Sequence, residues 1–442
     1  MSERRYHIKT FGCQMNVHDS RRIAEILGRI GYAPADGPRD ADVLFVNGCT
    51  VREKAWHKAI SEAGRLRGQK RRRPGAIVGV VGCVAQQEGA RLFDLVSGID
   101  LVVSPDHYGE LPGLLEDAAA GRRRAVVGFD SGRPEDFLAR GRPAGPALVS
   151  DFVTVMKGCE ERCAYCIVPS VRGPERFRPK EDVAAEVAAL VDCGVREVTL
   201  LGQKVNAYVD GRDGFAALLD RLDAIGGLAR LRFTSPHPRH MDRETAARFG
   251  RLRPLCEAIH LPVQSGSDRV LARMRRRYRR GDYLEAIGWL REACPEIAIS
   301  TDLIVGYPGE TEADFAATLD LLERVRFANV FSFKYSPRPG TPAAELDDDV
   351  GDAEKARRLA AAHEIIERNE REIRAAEVGR VRDVLVEGAG RMPGQVTGRT
   401  RGNHIVNFVP AGGASPQDLC GALLSVRVTR ANPHSLEGEP AR

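Results

Sequence analysis

Three cysteines in one short run, Cys159-Glu160-Glu161-Arg162-Cys163-Ala164-Tyr165-Cys166, are the residues of this chain best placed to do chemistry. Thiolates spaced by four and then three residues, in a loop just after a strand pattern, can converge on one cubane iron–sulfur cluster. The cubane takes four ligands, so one iron is left open. An open iron can be chelated by the amino and carboxylate groups of S-adenosylmethionine. A reduced cluster then delivers an electron to the sulfonium and releases a deoxyadenosyl radical, chemistry that belongs to the cofactor while the protein places it. A structural zinc site is the alternative, but zinc ribbons want a second cysteine pair downstream. The later cysteines, Cys193, Cys256, Cys294 and Cys420, are scattered singly and read as inert thiols. Tyr165 either packs on the adenine of the cofactor or serves as a plain core tyrosine.

A second trio stands near the N-terminus. Cys13, Cys49 and Cys83 each follow a strand pattern, and each is preceded by glycine. Loops at the carboxyl ends of neighbouring parallel strands meet at one edge of a sheet. Three thiolates from three loops could therefore hold a second cluster with an open iron, although any one of them alone reads as a buried thiol. A dinucleotide site would want Gly-x-Gly-x-x-Gly after the first strand, and a cobalamin site Asp-x-His-x-x-Gly; neither is present.

The elements that must position these residues form an α/β multidomain pattern. Strands at 6–11, 43–46, 76–81 and 101–103 alternate with helices at 20–30, 54–67 and 86–95, which argues an N-terminal open parallel α/β sheet, Rossmann-like in character, over 1–130. Residues 131–146 are rich in Gly, Pro and Arg and read as a linker. From 147 to 377 six strands recur, at 152–156, 197–201, 231–234, 259–263, 298–305 and 328–333. Six is short of a closed eight-stranded barrel, so a partial (β/α)6 TIM-like barrel is expected. A charged helix at 353–377 ends it. Residues 378–430 carry short alternating strands and frequent Gly, the pattern of a small β-barrel, and 431–442 read as a tail.

Composition sets limits around this. With 43% hydrophobic and 29% charged residues the chain is globular rather than disordered. A net charge of +5 is compatible with a nucleic-acid partner without requiring one. The basic runs 70–73, 122–124 and 275–280 each read as solvated faces. The start, Ser2-Glu3-Arg4-Arg5, lacks an apolar export segment, and the longest apolar run, 76–85, is too short for a bilayer. A cytoplasmic protein without a membrane partner is expected, and its ten cysteines are then ligands or thiols rather than disulfides.

Over essentially its full length the chain resembles the methylthiotransferase family of radical enzymes, in its tRNA branch. The resemblance rests on Gly12-Cys13-Gln14-Met15-Asn16, Asn47 to Ala55, Gly82-Cys83-Val84-Ala85-Gln86 and Lys157 to Cys166. It continues through Leu201 to Tyr208, Leu261 to Ser267 and Asp302 to Thr311, and ends in Gly398 to Phe408, similar to the RNA-binding TRAM module, a small OB-like barrel. Gly48 stands where Thr is usual, and Phe177 where Ser often precedes Arg178-Pro179. The resemblance implies a radical S-adenosylmethionine core and two [4Fe–4S] clusters, one held by Cys159, Cys163 and Cys166, the other by Cys13, Cys49 and Cys83. The reaction implied has two steps: one S-adenosylmethionine methylates a sulfide associated with the second cluster, and a second is split to the radical that removes hydrogen from carbon 2 of an N6-isopentenyladenosine beside the tRNA anticodon, after which the methylthio group is transferred to that carbon. It also implies an electron donor such as a flavodoxin-type reductant and a sulfur donor.

Gln203, Gln264 and Ser265, at predicted strand ends, are candidates to hydrogen-bond S-adenosylmethionine; a structural role is as fitting. Arg399, Arg401 and His404 are the candidate RNA contacts, with Lys54, Lys58 and Arg65 as weaker ones. His237-Pro238 reads as a turn cap. Two alternatives stay open: a family branch that modifies threonylcarbamoyladenosine or a ribosomal-protein aspartate, and a non-catalytic iron–sulfur RNA-binding protein.

Overall fold

A computed structural model describes residues 3–129 and 148–441. The linker expected at 131–146 lies outside the described residues. The chain divides into two compact units: 1–146 with 156–160 and 166–178, and 147–155 with 161–165 and 179–442. Two stretches carrying Cys159 and Cys166 thus fall in the same unit as the N-terminal sheet, although the sequence pattern assigns all of 147–377 to the barrel.

The first unit is a six-stranded, fully parallel sheet. Its strands are β1 (Arg4–Phe11), β2 (Tyr32–Pro34), β3 (Val43–Gly48), β4 (Ile77–Gly82), β5 (Leu101–Val103) and β6 (Arg124–Val126), in the spatial order β2-β1-β3-β4-β5-β6. The short edge strands β2 and β6 escape the sequence pattern because three residues are too few to show alternation. Both faces of the sheet are covered, as a parallel sheet requires. On one side Leu44, Val46, Val78 and Val80 pack against Ala59, Ala63 and Leu66 of helix α2 (Glu53–Leu66). On the other, Val43, Phe45, Ile77 and Val81 meet Ile23, Ile26 and Leu27 of helix α1 (Gln14–Arg29). Alternate residues of each strand serve opposite layers.

In the second unit six parallel strands follow in chain order: Ser150–Thr154, Glu197–Leu201, Arg230–Phe233, Ala258–His260, Ala298–Val305 and Asn329–Lys334. The two three-stranded halves are joined at Leu231, whose N–H donates to Pro254 O (2.7 Å) and whose carbonyl accepts from Cys256 N–H (3.0 Å). This is the expected six-stranded partial barrel. Helix Asp352–Ala375 then leads to a closed five-stranded barrel. The expected boundary at 430 and the tail at 431–442 are corrected here. Leu436–Pro440 is a strand, pairing with Leu423–Ala431 and Ile405–Phe408 to close that barrel, and Leu436 is in its core. Gly438 and the prolines nearby hide this strand from a pattern search.

Arginines fasten the small barrel to the amino-terminal ends of the large one's strands. Arg230, fully buried, donates to Arg399 O (2.6 Å) and Asp383 O (2.8 Å). Arg232 donates to Arg401 O (3.0 Å) and Thr400 O (2.9 Å) while its Nε holds Glu197 (2.9 Å). Arg401 returns the contact to Glu257 (2.7 Å) and Leu255 O (2.6 Å). Among the described residues no helix is long and apolar enough to cross a membrane.

Arg232→Ala leaves the buried Glu197 carboxylate and the Arg401 carbonyl without their donor, an expected cost of about 3–5 kcal/mol. The variant should unfold at lower temperature than wild type, and limited proteolysis should release the 381–440 barrel, which in wild type stays attached.

Candidate iron–sulfur and radical site

The N-terminal trio is assembled by register. Strands β1, β3 and β4 are neighbours, Phe11 lies opposite Gly48, and Gly48 lies opposite Gly82. Cys49 and Cys83 therefore leave the sheet at one level, with Cys13 two residues beyond Phe11, and Cys49 N–H donates to Phe11 O (2.8 Å). Cys13 caps helix α1 and Cys83 opens helix α3 (Cys83–Glu88), so two of the three thiols sit at helix N-termini, where free amides favour negative charge.

The preceding glycines are required by close approach. A Cβ at Gly12 would fall 2.8 Å from Cys49 Cβ and 2.2 Å from Asn16 Oδ1. Gly82 has φ +87° and a Cβ there would meet Asn47 Oδ1 at 2.2 Å. The buried amides that crowd these glycines also fix the loops. Asn16 donates to Asn47 Oδ1 (2.9 Å), Asn47 donates back to Asn16 O (2.9 Å), and Asn16 Oδ1 accepts from Cys13 N–H (3.3 Å).

Charge follows the same design. The hydrogen bond with Cys49, then the nearby Arg172 guanidinium and the amides of Asn16 and Met15, lower the Cys13 thiol to about 6. Cys49, sharing that proton, is pushed well up, and burial raises Cys83. Arg172 carries no spacing signal in the sequence. Its buried guanidinium donates to Cys83 Sγ (3.2 Å) and to Asp19 (2.8 Å). Beside it Ile167 and Val171 pack on Cys83, so the chain leaving Cys166 lies within the same unit as the N-terminal trio. In this neighbourhood Arg172 Nη1, Tyr108 Oη and Thr50 Oγ1 are buried with no hydrogen-bond partner. Buried orphan donors are costly, and sulfide or a bound anion would satisfy them. Among the described residues no group of three or more His, Cys, Asp or Glu is arranged to hold a metal ion. A cubane spreads its thiolates over separate irons and so asks for wider spacing than a single ion does.

The cysteine-rich loop contributes to both units. In the first, Cys159 N–H donates to Gly173 O (3.0 Å), and Cys166 Sγ accepts from Val168 N–H (3.4 Å). In the second, Cys163 is buried and its sulfur accepts from Arg276 Nη1 (3.3 Å). Arg276, only 4% exposed, corrects the reading of 275–280 as a solvated face; it also donates to Pro262 O (3.1 Å) and Tyr278 Oη (3.2 Å). Arg275 and Arg277 on either side have positive φ, the backbone reversal that turns Arg276 inward. Glu161 takes Lys204 Nζ (3.3 Å) and His240 Nε2 (3.2 Å) on one oxygen, while its other oxygen is buried without a partner. His237 caps its turn through Nδ1, as the sequence suggests, and its Nε2 is likewise buried and unpartnered. Burial, and next Arg276, hold His237 neutral. Open polar atoms of both kinds beside Cys163 suit a polar ligand carrying amino and carboxylate groups.

The remaining candidates separate. Gln264 is buried at a strand end with φ +72°, a strained conformation of the kind concentrated at functional sites; Ser235, exposed, has φ +58°. Ser265 is committed to the fold, with its hydroxyl on Thr318 (3.4 Å) and accepting from Ser267 N–H (3.2 Å). Gln203 is half-buried after strand Glu197–Leu201, and Tyr165 packs beside Ala164, Tyr307 and Tyr335. Of the RNA candidates, Arg401 is spent on Glu257, and burial lowers the His404 pKa, keeping it neutral. Arg399 is about one-third exposed and paired with Glu387 (3.1 Å). Lys54 and Lys58 are exposed on α2, whereas Arg65 is bound to Glu62.

Family models match three segments: the Radical SAM superfamily over 153–322, the TRAM domain over 375–441, and the Uncharacterized protein family UPF0004 over 5–104. Solved structures share the fold. The radical S-adenosylmethionine methyltransferase TsrM from Kitasatospora setae superposes with TM-score 0.58 at 16% identity, covering 78% of this chain and 77% of its own. The radical enzyme OxsB gives 0.51 at 11%, covering 83% and 56%. Fold and site thus define a radical S-adenosylmethionine protein with a TRAM module.

Among curated relatives, the tRNA-2-methylthio-N(6)-dimethylallyladenosine synthase of Sorangium cellulosum is 48% identical over 98% of this chain and 93% of its own length. That of Geotalea uraniireducens is 46% identical over 100% and 99%. The chain belongs to the tRNA-2-methylthio-N(6)-dimethylallyladenosine synthase family.

In cluster-free protein the Cys13–Cys49 pair should lose its first proton near pH 6, because the lowered thiol is a thiolate above that value. Alkylation by iodoacetamide, read by peptide mass spectrometry, should label Cys13 fully at pH 7 while Cys83 stays unmodified.

Proposed function

We propose that this enzyme attaches a methylthio group to carbon 2 of N6-isopentenyladenosine next to the anticodon of tRNA. Family membership supports the reaction, and the observation that carries the site assignment is the level exit of Cys13, Cys49 and Cys83 from three adjacent strands, with Arg172 on the Cys83 sulfur. In this reading Cys159, Cys163 and Cys166 hold one [4Fe–4S] cluster, and Cys13, Cys49 and Cys83 the other. When bound, the first cluster with S-adenosylmethionine supplies a carbon radical able to take hydrogen from an aromatic carbon, and the second supplies the sulfur.

The protein's own side chains do the rest. Arg172 and Arg276 neutralise buried sulfur charge. Glu161, Lys204 and the strained strand end at Gln264 give S-adenosylmethionine polar partners, and Tyr165 offers a ring to its adenine. An aromatic C–H is too weak an acid for general-base chemistry, so a catalytic His or Glu pair has no part to play. Arg399 and the exposed Lys54 and Lys58 are proposed contacts to RNA phosphates, whereas Arg401 acts indirectly by holding the TRAM module in place. The nucleoside lies in a single-stranded loop and is unstacked to reach the site. A flavodoxin-type reductant and a sulfur donor complete the cycle, in the cytoplasm.

Mass spectrometry of tRNA nucleosides should show 2-methylthio-N6-isopentenyladenosine in cells with the gene and only N6-isopentenyladenosine in cells without it. Complementation with Cys163→Ala should leave the deletion pattern unchanged, and the purified variant should form no 5′-deoxyadenosine on reduction.

A further inference from the structure

Arg276 is a buried cation that no carboxylate answers. Its Nη1 donates to Cys163 Sγ (3.3 Å), its Nη2 to Pro262 O (3.1 Å) and its Nε to Tyr278 Oη (3.2 Å). Among the described residues it forms no ion pair with Asp or Glu, although it is buried. Arg172, in the first unit, differs: its guanidinium on the Cys83 sulfur is paired with Asp19 at 2.8 Å.

The loop is shaped to aim this one group. Arg275 has φ +58° and Arg277 φ +56°, both in the left-handed region that side chains avoid, and both side chains are exposed. Between them Arg276 is turned inward. Ala164 N–H donates to Met274 O (2.9 Å), which fastens the loop to the residue after Cys163, and Arg276 N–H donates to Leu271 O (2.9 Å). Tyr278, itself buried, donates to Val263 O (2.7 Å) and so fixes the oxygen on which Nε rests. The guanidinium is therefore held against the sulfur by backbone and tyrosine contacts that do not depend on the sulfur's charge.

Such a fixed charge bears on electron transfer. The reduced cluster carries one more negative charge than the oxidised one, so an adjacent cation stabilises the reduced form more. Away from water that difference is weakly screened. Hydrogen bonds to the ligand sulfurs and local charge are the means by which a protein moves a cluster's potential. A paired carboxylate would cancel much of the effect, and Arg276 has none. An arginine with a purely structural task is satisfied by carbonyls, as the buried Arg230 is by Arg399 O and Asp383 O. It needs neither a cysteine sulfur nor two left-handed neighbours.

We infer that Arg276 sets the reduction potential of the cluster held by Cys159, Cys163 and Cys166, making that cluster easier to reduce. It is a positioning residue, acting through the ligand sulfur and not on the substrate. The inference rests on the ligand role proposed for those three cysteines. The step concerned is one electron passing from the reductant to the cluster; no bond forms or breaks, and the guanidinium keeps its proton throughout.

The test titrates full-length chain with Cys13, Cys49 and Cys83 changed to Ala, reconstituted anaerobically so that one cluster is read. Electron paramagnetic resonance counts the reduced cluster as the potential is lowered. At the potential where this parent is half reduced, Arg276→Met should show a reduced-to-oxidised ratio about tenfold lower, a downward shift of about 59 mV for one electron. Arg276→Lys, which keeps the charge, should lie between the two. Arg275→Gln/Arg277→Gln removes two exposed charges and should move the ratio by less than about twofold, because water and salt screen them. Cleavage of S-adenosylmethionine is scored beside it: the deficit of Arg276→Met should be large with dithionite and shrink with the stronger reductant titanium(III) citrate, whereas a structural fault lowers both alike. An unshifted midpoint in Arg276→Met, a lysine variant that titrates with it, or equal deficits with both reductants overturns the inference. Should Arg276→Met hold well under the parent's iron, Arg276→Gln is read in the same way. Loss of iron in both means that Arg276 retains the cluster instead of setting its potential, which also overturns it. A triple-alanine parent without iron would contradict the ligand assignment itself.

Discussion

Everything in the N-terminal unit follows from three parallel strands that end at one level. Because β1, β3 and β4 are neighbours and Phe11, Gly48 and Gly82 are in register, the next residues of three distant chain segments are delivered to one edge of the sheet. Crowding at that edge excludes side chains before the cysteines, and the vacated space is taken by Asn16 and Asn47, whose mutual hydrogen bonds tie the first two loops together. The sheet's buried layers supply the stability that lets such a crowded, polar edge persist.

Each cysteine group also receives a buried arginine. Arg172 reaches Cys83 and Arg276 reaches Cys163, each with its guanidinium almost wholly removed from water. A buried cation is expensive unless paired, and Asp19 only partly compensates Arg172, whose Nη1 has no partner. The cost makes sense where sulfur carries negative charge. The TRAM module is held by the same residue type acting in two ways, with Arg230 and Arg232 donating mainly to backbone carbonyls and Arg401 pairing with Glu257.

Much of this was legible in the residues. Gly-Cys after each of three strand patterns gave the trio, and the six-strand count gave the partial barrel, since both depend on local pattern and chain order. What remained hidden depends on distant contacts. Arg276 sits in a run of cationic residues that looks solvated, and only the positive φ of its neighbours turns it inward. Arg401 looks like a phosphate contact until Glu257, far away in sequence, is seen to claim it. The strand Leu436–Pro440 is short and broken by Gly and Pro, so its place in the barrel is decided by pairing rather than by its own propensity.

The most direct test of the central claim is an iron count on enzyme with Cys13, Cys49 and Cys83 all changed to Ala, reconstituted beside wild type. Wild type should hold about eight irons per chain and the variant about four, with cleavage of S-adenosylmethionine to 5′-deoxyadenosine retained and methylthiolation lost. An iron content unchanged by the triple substitution would mean that these thiols hold no cluster, and the account of this site would fall.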